Sequence, residues 1–304
     1  MSGHSHLFQL LYMYFGAHVS IAGGIFNAPL NAAALGCEVF QMFSRSPHGG
    51  PVAPLTPTAI SMFKQNMELT GQRECYIHAP YFINFASNNP RIKHGSISVI
   101  RQELERGSLL GAAYVMTHLG SYKDLGKDAG FPQVVAGLAE VLRDASGNAR
   151  RGRRSASPTS GVPTQFLIEI SAGAGAVIGH MFEDIAEIVH HPKLKKLNIG
   201  VCFDTQHAFG SGYDIRTPAV VKKTLDAFDK TIGLEKLKMF HCNDSKVEFN
   251  SHRDRHEHIG EGKIGRAGFE ALLADKRIQN KNFILETEHD KVREDLKILK
   301  KIRG

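Results

Sequence analysis

The chain contains no tryptophan, few cysteines and no apolar run long enough to cross a membrane. A membrane-spanning helix needs about 18 or more mostly apolar residues, so we predict no membrane partner. None of the cysteines has the CxxC spacing of a redox or zinc-thiolate motif. Each lies in or beside a strand-like run: Cys37, Cys75, Cys202 and Cys242. We therefore expect buried, reduced thiols in a reducing compartment, with a zinc-thiolate site as the weaker alternative.

The N-terminal segment lacks the marks of a secretory signal. Residues 1–12 carry a short apolar patch with no basic region before it and no small-residue cleavage site after it. We expect a tail there, followed by a single domain over residues 13–304, and a cytoplasmic or nucleoid-associated location. The formal net charge of +7 favours a polyanionic partner.

Eight short apolar runs alternate with helix-like segments along the chain. The helical segments are residues 24–35, 57–70, 91–112, 132–143, 180–191, 217–231, 266–275 and 290–302. Such alternation is typical of parallel strands joined by helical crossovers. Eight units in 304 residues predict a closed (β/α)₈ TIM barrel of the α/β class, with a doubly wound open sheet as the alternative.

One segment interrupts this alternation. Residues 146–164 read SGNARRGRRSASPTSGVPT and are rich in Arg, Ser, Gly and Pro, a composition typical of a solvated surface loop. Because the segment precedes a strand, we expect it at the barrel face opposite the carboxyl ends of the strands. A phosphate-contacting role for its arginines is the alternative.

Most of the apolar runs end in a side chain that can bind a metal ion. A barrel of parallel strands would bring these ends together in one pocket. Zn²⁺ takes imidazole and carboxylate ligands, three or four to an ion, so nine candidates are too many for one ion and suit three ions that share a carboxylate. The candidates are His78, His118, Glu169, Asp204, His207, His241, Asp254, His256 and Glu286.

The spacing of two of these pairs is informative. Asp204 would sit at a strand end and His207 about one turn further, so the pair can serve neighbouring ions. Asp254 and His256 lie two residues apart, so in an extended loop they face the same way and form a plausible separate site with His207. Paired cations favour hydrolysis of phosphate esters, because they bind phosphate oxygens, activate water and stabilise the leaving oxygen.

The motifs around these residues resemble endonuclease IV, the family of metal-dependent apurinic/apyrimidinic (AP) endonucleases of base-excision DNA repair. The resemblance spans about residues 13–290, and D-T-x-H and D-R-H-x-x-x-G-x-G are its specific motifs. The matching stretches are GAHVS, HAPY, THLGSY, EISAG, GVCFDTQHAFGSGYD, HCNDSK, DRHEHIGEGKIG and ILETE.

The resemblance implies a TIM barrel with three zinc ions. The first ion would be held by His78, His118 and Glu169, and the second by Glu169, Asp204, His241 and Glu286. The third would be held by His207, Asp254 and His256. Glu169 and Glu286 would be catalytic. A metal-activated hydroxide would attack the phosphate 5′ to an abasic site in duplex DNA, leaving a 3′-hydroxyl and a 5′-deoxyribose phosphate.

The family also inserts side chains into the duplex from two loops. In the first loop, Tyr81 and Phe82 would act as apolar wedges; the alternative for Phe82 is packing over the barrel mouth. In the second loop the family usually has an arginine, but here SRSPHGGP places His48 at that position and no tryptophan follows. The chain therefore departs from the family in the loop that would hold the orphaned base or the gap. Lys263, in GEGKI, is expected to contact a DNA phosphate.

Other interpretations of the sequence are weaker. Gly173 to Gly179 imitate a dinucleotide fingerprint, but their GxGxxxG spacing differs from it, so we predict no nucleotide cofactor. A sugar isomerase or epimerase would use one or two ions and mostly carboxylates, and the His207, Asp254 and His256 trio argues against it. A DNA-damage binding protein with a decayed site would not be expected to keep every ligand. We expect a monomer.

Overall fold

The computed structural model describes residues 13–147 and 163–304 and contains a closed parallel barrel. The closed circuit confirms the TIM barrel and rules out the open sheet. The expected tail at 1–12 and most of the 146–164 segment lie outside the described residues. The barrel strands, in their order around the barrel, are β1 Phe15–His18, β2 Val39–Phe43, β3 Cys75–His78, β4 Tyr114–Thr117, β5 Gln165–Glu169, β6 Ile199–Asp204, β7 Leu237–His241 and β10 Asn282–Leu285. The last of these, β10, pairs with β1 and closes the barrel.

The helices lie outside the barrel strands, and all of those described except one short helix lie close to the predicted segments. They are α1 Ala28–Leu35, α2 Pro57–Thr70, α3 Pro90–Leu110, α4 Gly126–Gly147, α5 Phe182–Val189, α6 Thr205–Gly210, α7 Pro218–Thr231, α8 Gly265–Leu273 and α9 Val292–Arg303. No helix among the described residues has the length and apolar character that a bilayer span requires.

Local signals explain why some helix bounds are predictable. The Thr56 side chain accepts a hydrogen bond from the Ala59 N–H at 3.1 Å, Pro57 occupies the first turn, and Gly71 ends α2 in the left-handed conformation. The prediction for α4 was too short, because the helix begins at Gly126 and continues through Pro132. A proline lacks the N–H that a helix interior needs, which made residue 132 look like a start.

Two elements were missed. The short helix α6 follows β6 directly, and Asp204 caps it by accepting the His207 N–H at 2.7 Å. The strands β8 Asp244–Ser245 and β9 His256–Glu257 form a two-residue antiparallel ladder above the barrel. Both elements are too short for hydrophobic periodicity to reveal them.

The barrel interior is a separate apolar layer enclosed by the strands. One buried side chain from each of seven strands fills it: Val39, Tyr76, Met116, Leu167, Cys202, Met239 and Ile284. The eighth strand contributes Gly16, whose added Cβ would lie 1.7 Å from the Val39 carbonyl oxygen. Layers of this kind are the usual filling of a TIM barrel. All four cysteines are buried and unpaired, as predicted.

A buried ionic cluster anchors the loop that connects β2 to α2. Glu103, fully buried on α3, accepts hydrogen bonds from the Arg45 guanidinium and from the Ser44 hydroxyl at 2.5 Å. Arg106 donates to the Ser44 hydroxyl at 2.7 Å and to the Ala53 carbonyl at 3.0 Å. The loop that carries His48 is thereby tied to α3 at both ends.

We predict that Glu103→Gln lowers the free energy of unfolding by about 3 kcal/mol, because it leaves the buried Arg45 cation without a counter-charge. Urea denaturation measures the change. Glu270→Gln is the control, because Glu270 pairs with Arg266 on an exposed helix face and should cost less than about 0.5 kcal/mol. Equal losses for the two variants would contradict the role of the cluster.

Candidate metal centre

A ring of polar side chains lies directly above the apolar layer of the barrel. Side chains two residues apart on a strand face the same side, so each member of the ring follows an interior residue by two positions. Gly16 is followed by the first member and Ile284 by the last. The eight members are His18, Gln41, His78, His118, Glu169, Asp204, His241 and Glu286. Six of these are predicted metal ligands.

The carboxylate of Glu169 lies at the centre of this ring and is almost completely buried. Its Oε2 is 2.9 Å from His78 Nε2 and 3.3 Å from His118 Nε2. Its Oε1 is 2.8 Å from His241 Nδ1 and 3.5 Å from His207 Nδ1. One carboxylate is therefore surrounded by four imidazoles, three at the ends of strands β3, β4 and β7 and the fourth on helix α6.

Hydrogen bonds on the far side of the rings determine which nitrogen faces the pocket. His78 Nδ1 donates to the carbonyl of the next residue at 2.6 Å, and His207 Nδ1 donates to the Ile170 carbonyl at 2.9 Å. His118 Nδ1 donates to the Ser171 hydroxyl at 3.2 Å, which itself donates to a backbone carbonyl. In all three histidines Nε2 is therefore the nitrogen that can accept a metal ion.

Charge and burial compete at these groups. Burial alone would raise the pKa of Glu169, but the imidazoles of His118 and His241 hold the pKa of this carboxyl well below its usual range. Burial lowers the pKa of His118, although the charge of Glu169 opposes this effect. Burial also acts to lower the pKa of His207, yet Asp204 and Asp254 raise it to about 10.

A second group shares Glu169 with the first. His241 Nδ1 is 3.2 Å from Glu286 Oε2 and 3.9 Å from Asp204 Oδ2. Donor atoms of Glu169, Asp204, His241 and Glu286 all lie within 4.8 Å of one another. The three carboxylates and one imidazole are a hard, oxygen-rich set that suits a divalent cation.

A third group forms where α6 meets the β8–β9 hairpin. His207 Nε2 and His256 Nε2 are 3.4 Å apart, and each is 3.4 Å from a different oxygen of Asp254. Asp204 also reaches this group, since its Oδ2 is 3.8 Å from His256 Nε2. The structure thus places Asp204, as well as Asp254, beside the two imidazoles.

These three groups meet the requirements of bound cations. In each group three or four donor atoms lie within 4.8 Å of one another, and all but one of the contributing residues are buried. Buried carboxylates need counter-charges, and cations at these positions would supply them. Glu169 belongs to two groups and Asp204 belongs to two, so the groups are joined by shared carboxylates.

Comparisons with known proteins agree with this geometry. A family model described as a xylose isomerase-like TIM barrel matches residues 29–302. A Methanoculleus marisnigri protein named "Probable endonuclease 4" is 36% identical over 288 residues, which is 95% of this chain and 97% of that protein. The chain belongs to the endonuclease IV family. The resemblance found in the sequence motifs is thereby confirmed.

Solved structures add a comparison at the level of the fold. Endonuclease IV from Thermus thermophilus aligns with a TM-score of 0.79 at 31% identity, over 95% of this chain and 98% of that chain. A D-tagatose 3-epimerase-like protein aligns with a TM-score of 0.69 at 20% identity, over 95% of this chain and 97% of that chain. The second comparison shows a shared barrel and nothing about activity.

Three loops carry the residues predicted to contact DNA. His48 follows β2, Tyr81 and Phe82 follow β3, and Lys263 lies between β9 and α8. Tyr81 is 67% exposed and Phe82 is 40% exposed, so both present apolar surface to solvent. The His48 ring packs edge-on against Tyr81, with 6.2 Å between ring centroids. Lys263 is exposed and forms an ion pair with Glu248 at 2.8 Å. A weak surface pair of this kind leaves the lysine available to other anions.

Several residues that support this candidate centre were not predicted from the sequence. Gln41 is fully buried in the ring and contacts His241 and Glu286. Asn243 is fully buried beside Asp204, to which it donates a hydrogen bond at 2.7 Å. The position of Gln41 two residues after Val39 would have placed it in the ring, had the strand register been used.

Asp244 was also missed, and it organises the loop that carries Lys263. Its buried carboxylate accepts backbone N–H groups from Gly260 at 3.0 Å, Gly262 at 3.1 Å and Ile264 at 2.9 Å. An added Cβ at Gly262 would lie 2.5 Å from Asp244 Oδ1, so no other residue fits there. The glycines of the D-R-H-x-x-x-G-x-G motif allow the loop to pack closely around this carboxylate.

We predict that cation binding to this centre releases protons. Asp204 and Asp254 raise the pKa of His207 to about 10 despite burial. The ring is therefore protonated at neutral pH in the metal-free protein, and a cation must displace a proton in order to bind. Below that pH, affinity at this group should fall about tenfold for each unit of pH decrease. Calorimetric titration in buffers of different ionisation enthalpy counts the protons.

The variant His207→Asn is the matched control for this prediction, since it should release about one proton fewer. An affinity that does not change between about pH 6.5 and pH 8.5 would contradict the prediction.

Proposed function

We propose that this chain is a zinc-dependent AP endonuclease of base-excision DNA repair. It would hydrolyse the phosphodiester 5′ to an abasic site in duplex DNA and leave a 3′-hydroxyl and a 5′-deoxyribose phosphate. The observation that carries the proposal is the convergence of nine ligand-type side chains in three groups joined by Glu169 and Asp204. Membership of the endonuclease IV family supports a DNA-cleaving hydrolase.

The residues would divide the work as follows. His78, His118 and Glu169 would hold one zinc ion, and Glu169, Asp204, His241 and Glu286 a second. His207, Asp254 and His256, with Asp204 beside them, would hold a third. When bound, such ions supply positive charge at phosphate oxygens and lower the pKa of water toward neutrality.

Among the carboxylates of the first two groups, Glu286 is the one best placed to face a substrate phosphate. Its side chain is 17% exposed, whereas Glu169 and Asp204 are buried beneath it. The backbone N–H of Glu286 donates to the Asn243 side chain at 2.7 Å, and its Oε1 accepts from Gln41 at 2.6 Å. The carboxylate is therefore held in one orientation at the floor of the pocket.

The pocket itself suits a phosphodiester. A cavity of about 470 Å³ lies over the centre, and its lining includes His118, Glu169, Asp254 and Glu286. The exposed Tyr81 and the ring of Phe43 form part of its wall. An apolar wedge at this edge would stabilise DNA from which one nucleotide has been turned out of the stack, which costs least where a base is missing.

Three further features support a DNA substrate over a sugar. The net charge of +7 favours a polyanion. The third ligand group provides for one ion more than the one or two that a sugar isomerase would use. The exposed aromatic pair at the rim suits stacked bases, since aromatic side chains stack on bases without sequence preference. We infer a monomer that acts where DNA is stored, in the cytoplasm or at the nucleoid.

We predict that the protein incises a duplex containing a single tetrahydrofuran abasic analogue, and that a strong chelator abolishes the incision. Glu286→Gln should keep binding to this duplex but lose incision by at least about 100-fold, because it removes a ligand charge at the centre. Gel analysis of end-labelled strands measures the products.

Glu288→Gln is the matched control, because Glu288 is exposed, lies on the same loop as Glu286 and pairs with Lys246, which follows β8. It should incise at the parent rate. Unchanged incision by Glu286→Gln would contradict the assigned role of Glu286, and chelator-resistant incision would contradict the metal centre.

We predict that Tyr81→Ala lowers the preference for abasic over intact duplex by about tenfold, because it removes a stacking surface worth about 1–3 kcal/mol. Fluorescence anisotropy with the two duplexes measures this preference. Leu69→Ala removes another exposed apolar side chain, at the end of α2, and should leave the preference unchanged. Equal discrimination by Tyr81→Ala and the parent would contradict the wedge.

A further inference from the structure

The five candidate ligand histidines are not oriented in the same way. Those in the first and third groups present Nε2 to the pocket. His241 is reversed: its Nδ1 faces Glu169 at 2.8 Å and Glu286 at 3.2 Å. Its Nε2 points instead to the side chain of Gln41, at 2.7 Å.

Gln41 lies on β2, across the barrel from His241 on β7, with β10 and β1 between them. Its side chain is fully buried and makes three hydrogen bonds. Oε1 accepts from His241 Nε2, while Nε2 donates to Glu286 Oε1 at 2.6 Å and to His18 Nδ1 at 3.0 Å. Both protons of the Gln41 amide and one lone pair of its oxygen therefore take part in hydrogen bonds.

This network permits a single orientation of the Gln41 amide. If the amide were rotated by half a turn, its oxygen would lie 2.6 Å from Glu286 Oε1, and two acceptors would face each other. The oxygen therefore faces His241, whose Nε2 must carry a proton in order to donate. Nδ1 is then the nitrogen of His241 with a lone pair for a cation.

The other ligands of this group are held without Gln41. Asn243 donates to Asp204 Oδ2 at 2.7 Å. Thr205 exchanges two hydrogen bonds with the Asn243 backbone, at 2.7 and 2.8 Å, and fixes its position. Glu169 is held by the imidazoles of the first group. Loss of Gln41 should therefore affect His241 and Glu286 and leave the rest of the centre in place.

We propose that Gln41 is a positioning residue for the metal centre: it selects the Nδ1 of His241 as ligand and fixes the Glu286 carboxylate beside it. The inference rests on the proposed metal centre and deepens it. Partners that orient metal-ligating histidines commonly contribute 10–100-fold to metal affinity, so one zinc ion of the three should depend on Gln41 to about that extent.

Two substitutions separate the two contributions of Gln41. Gln41→Met has a similar length but neither accepts from His241 nor donates to Glu286. Gln41→Glu keeps an acceptor for His241 but places an oxygen against Glu286. It should therefore preserve the tautomer of His241 and lower the affinity of the group for its zinc ion. Gln72→Met is the matched control, because Gln72 is also buried but donates to the Cys37 carbonyl, outside the ring.

The test uses purified, zinc-loaded protein. Competition with a chromophoric chelator gives the number and affinity of bound zinc ions, and long-range ¹H–¹⁵N NMR of the imidazoles gives the tautomer of His241. We expect Gln41→Met to bind one of the three ions about 10–100-fold more weakly and to lose the uniform Nε2–H tautomer. Gln41→Glu should lose affinity alone, and Gln72→Met should match the parent in both measurements.

Parent-like zinc affinity and an unchanged tautomer in Gln41→Met would overturn the inference while the proposed function stands. An equal loss of zinc in Gln72→Met would also overturn it, since the effect would then follow from general destabilisation. A parent protein that binds no zinc would contradict the proposed function and this inference together.

Discussion

The buried carboxylate of Glu169 is the constraint on which the rest of the site depends. A carboxylate taken out of water is costly unless charged or hydrogen-bonding partners surround it. Four imidazoles, three from strand ends and one from helix α6, approach it within 3.5 Å. The same geometry keeps Glu169 ionised, because the imidazoles of His118 and His241 outweigh the burial that would raise its pKa. A group in this state can be shared between two cations.

The two-residue period of the barrel strands explains how such a cluster arises. The side chains that follow the interior layer by two positions must point into the same space, so a polar residue at that position on each strand builds a ring. The floor of the ring is apolar and closed, and its rim is open to solvent near Tyr81 and Asp254. Water is thus excluded below the ligands and admitted above them, which suits hydrolysis of a substrate that approaches from the rim.

Much of this was predictable from the sequence, because the signals are local. The apolar runs predicted the eight strands, and α2 was predictable to the residue from Pro57 and Gly71. The nine ligand candidates stand at strand ends or in the segments that follow them, and the structure brings them together in one pocket. Gln41 was not predictable as a partner of His241, because that contact depends on the closure of the barrel between β2 and β7. The proximity of Asp204 to His256 likewise depends on the pairing of β8 with β9. These strands have only two residues each and carry no periodic signal in the sequence.

We propose that several cations share the carboxylates of Glu169 and Asp204. X-ray diffraction from zinc-loaded crystals at the zinc absorption edge can test this arrangement, because anomalous peaks locate the metal independently of any assumed ligand. We expect three peaks in the pocket, two of them beside the Glu169 carboxylate and the third beside His207 and His256. A single peak, or peaks that lie away from Glu169, would show that these carboxylates are not shared between cations.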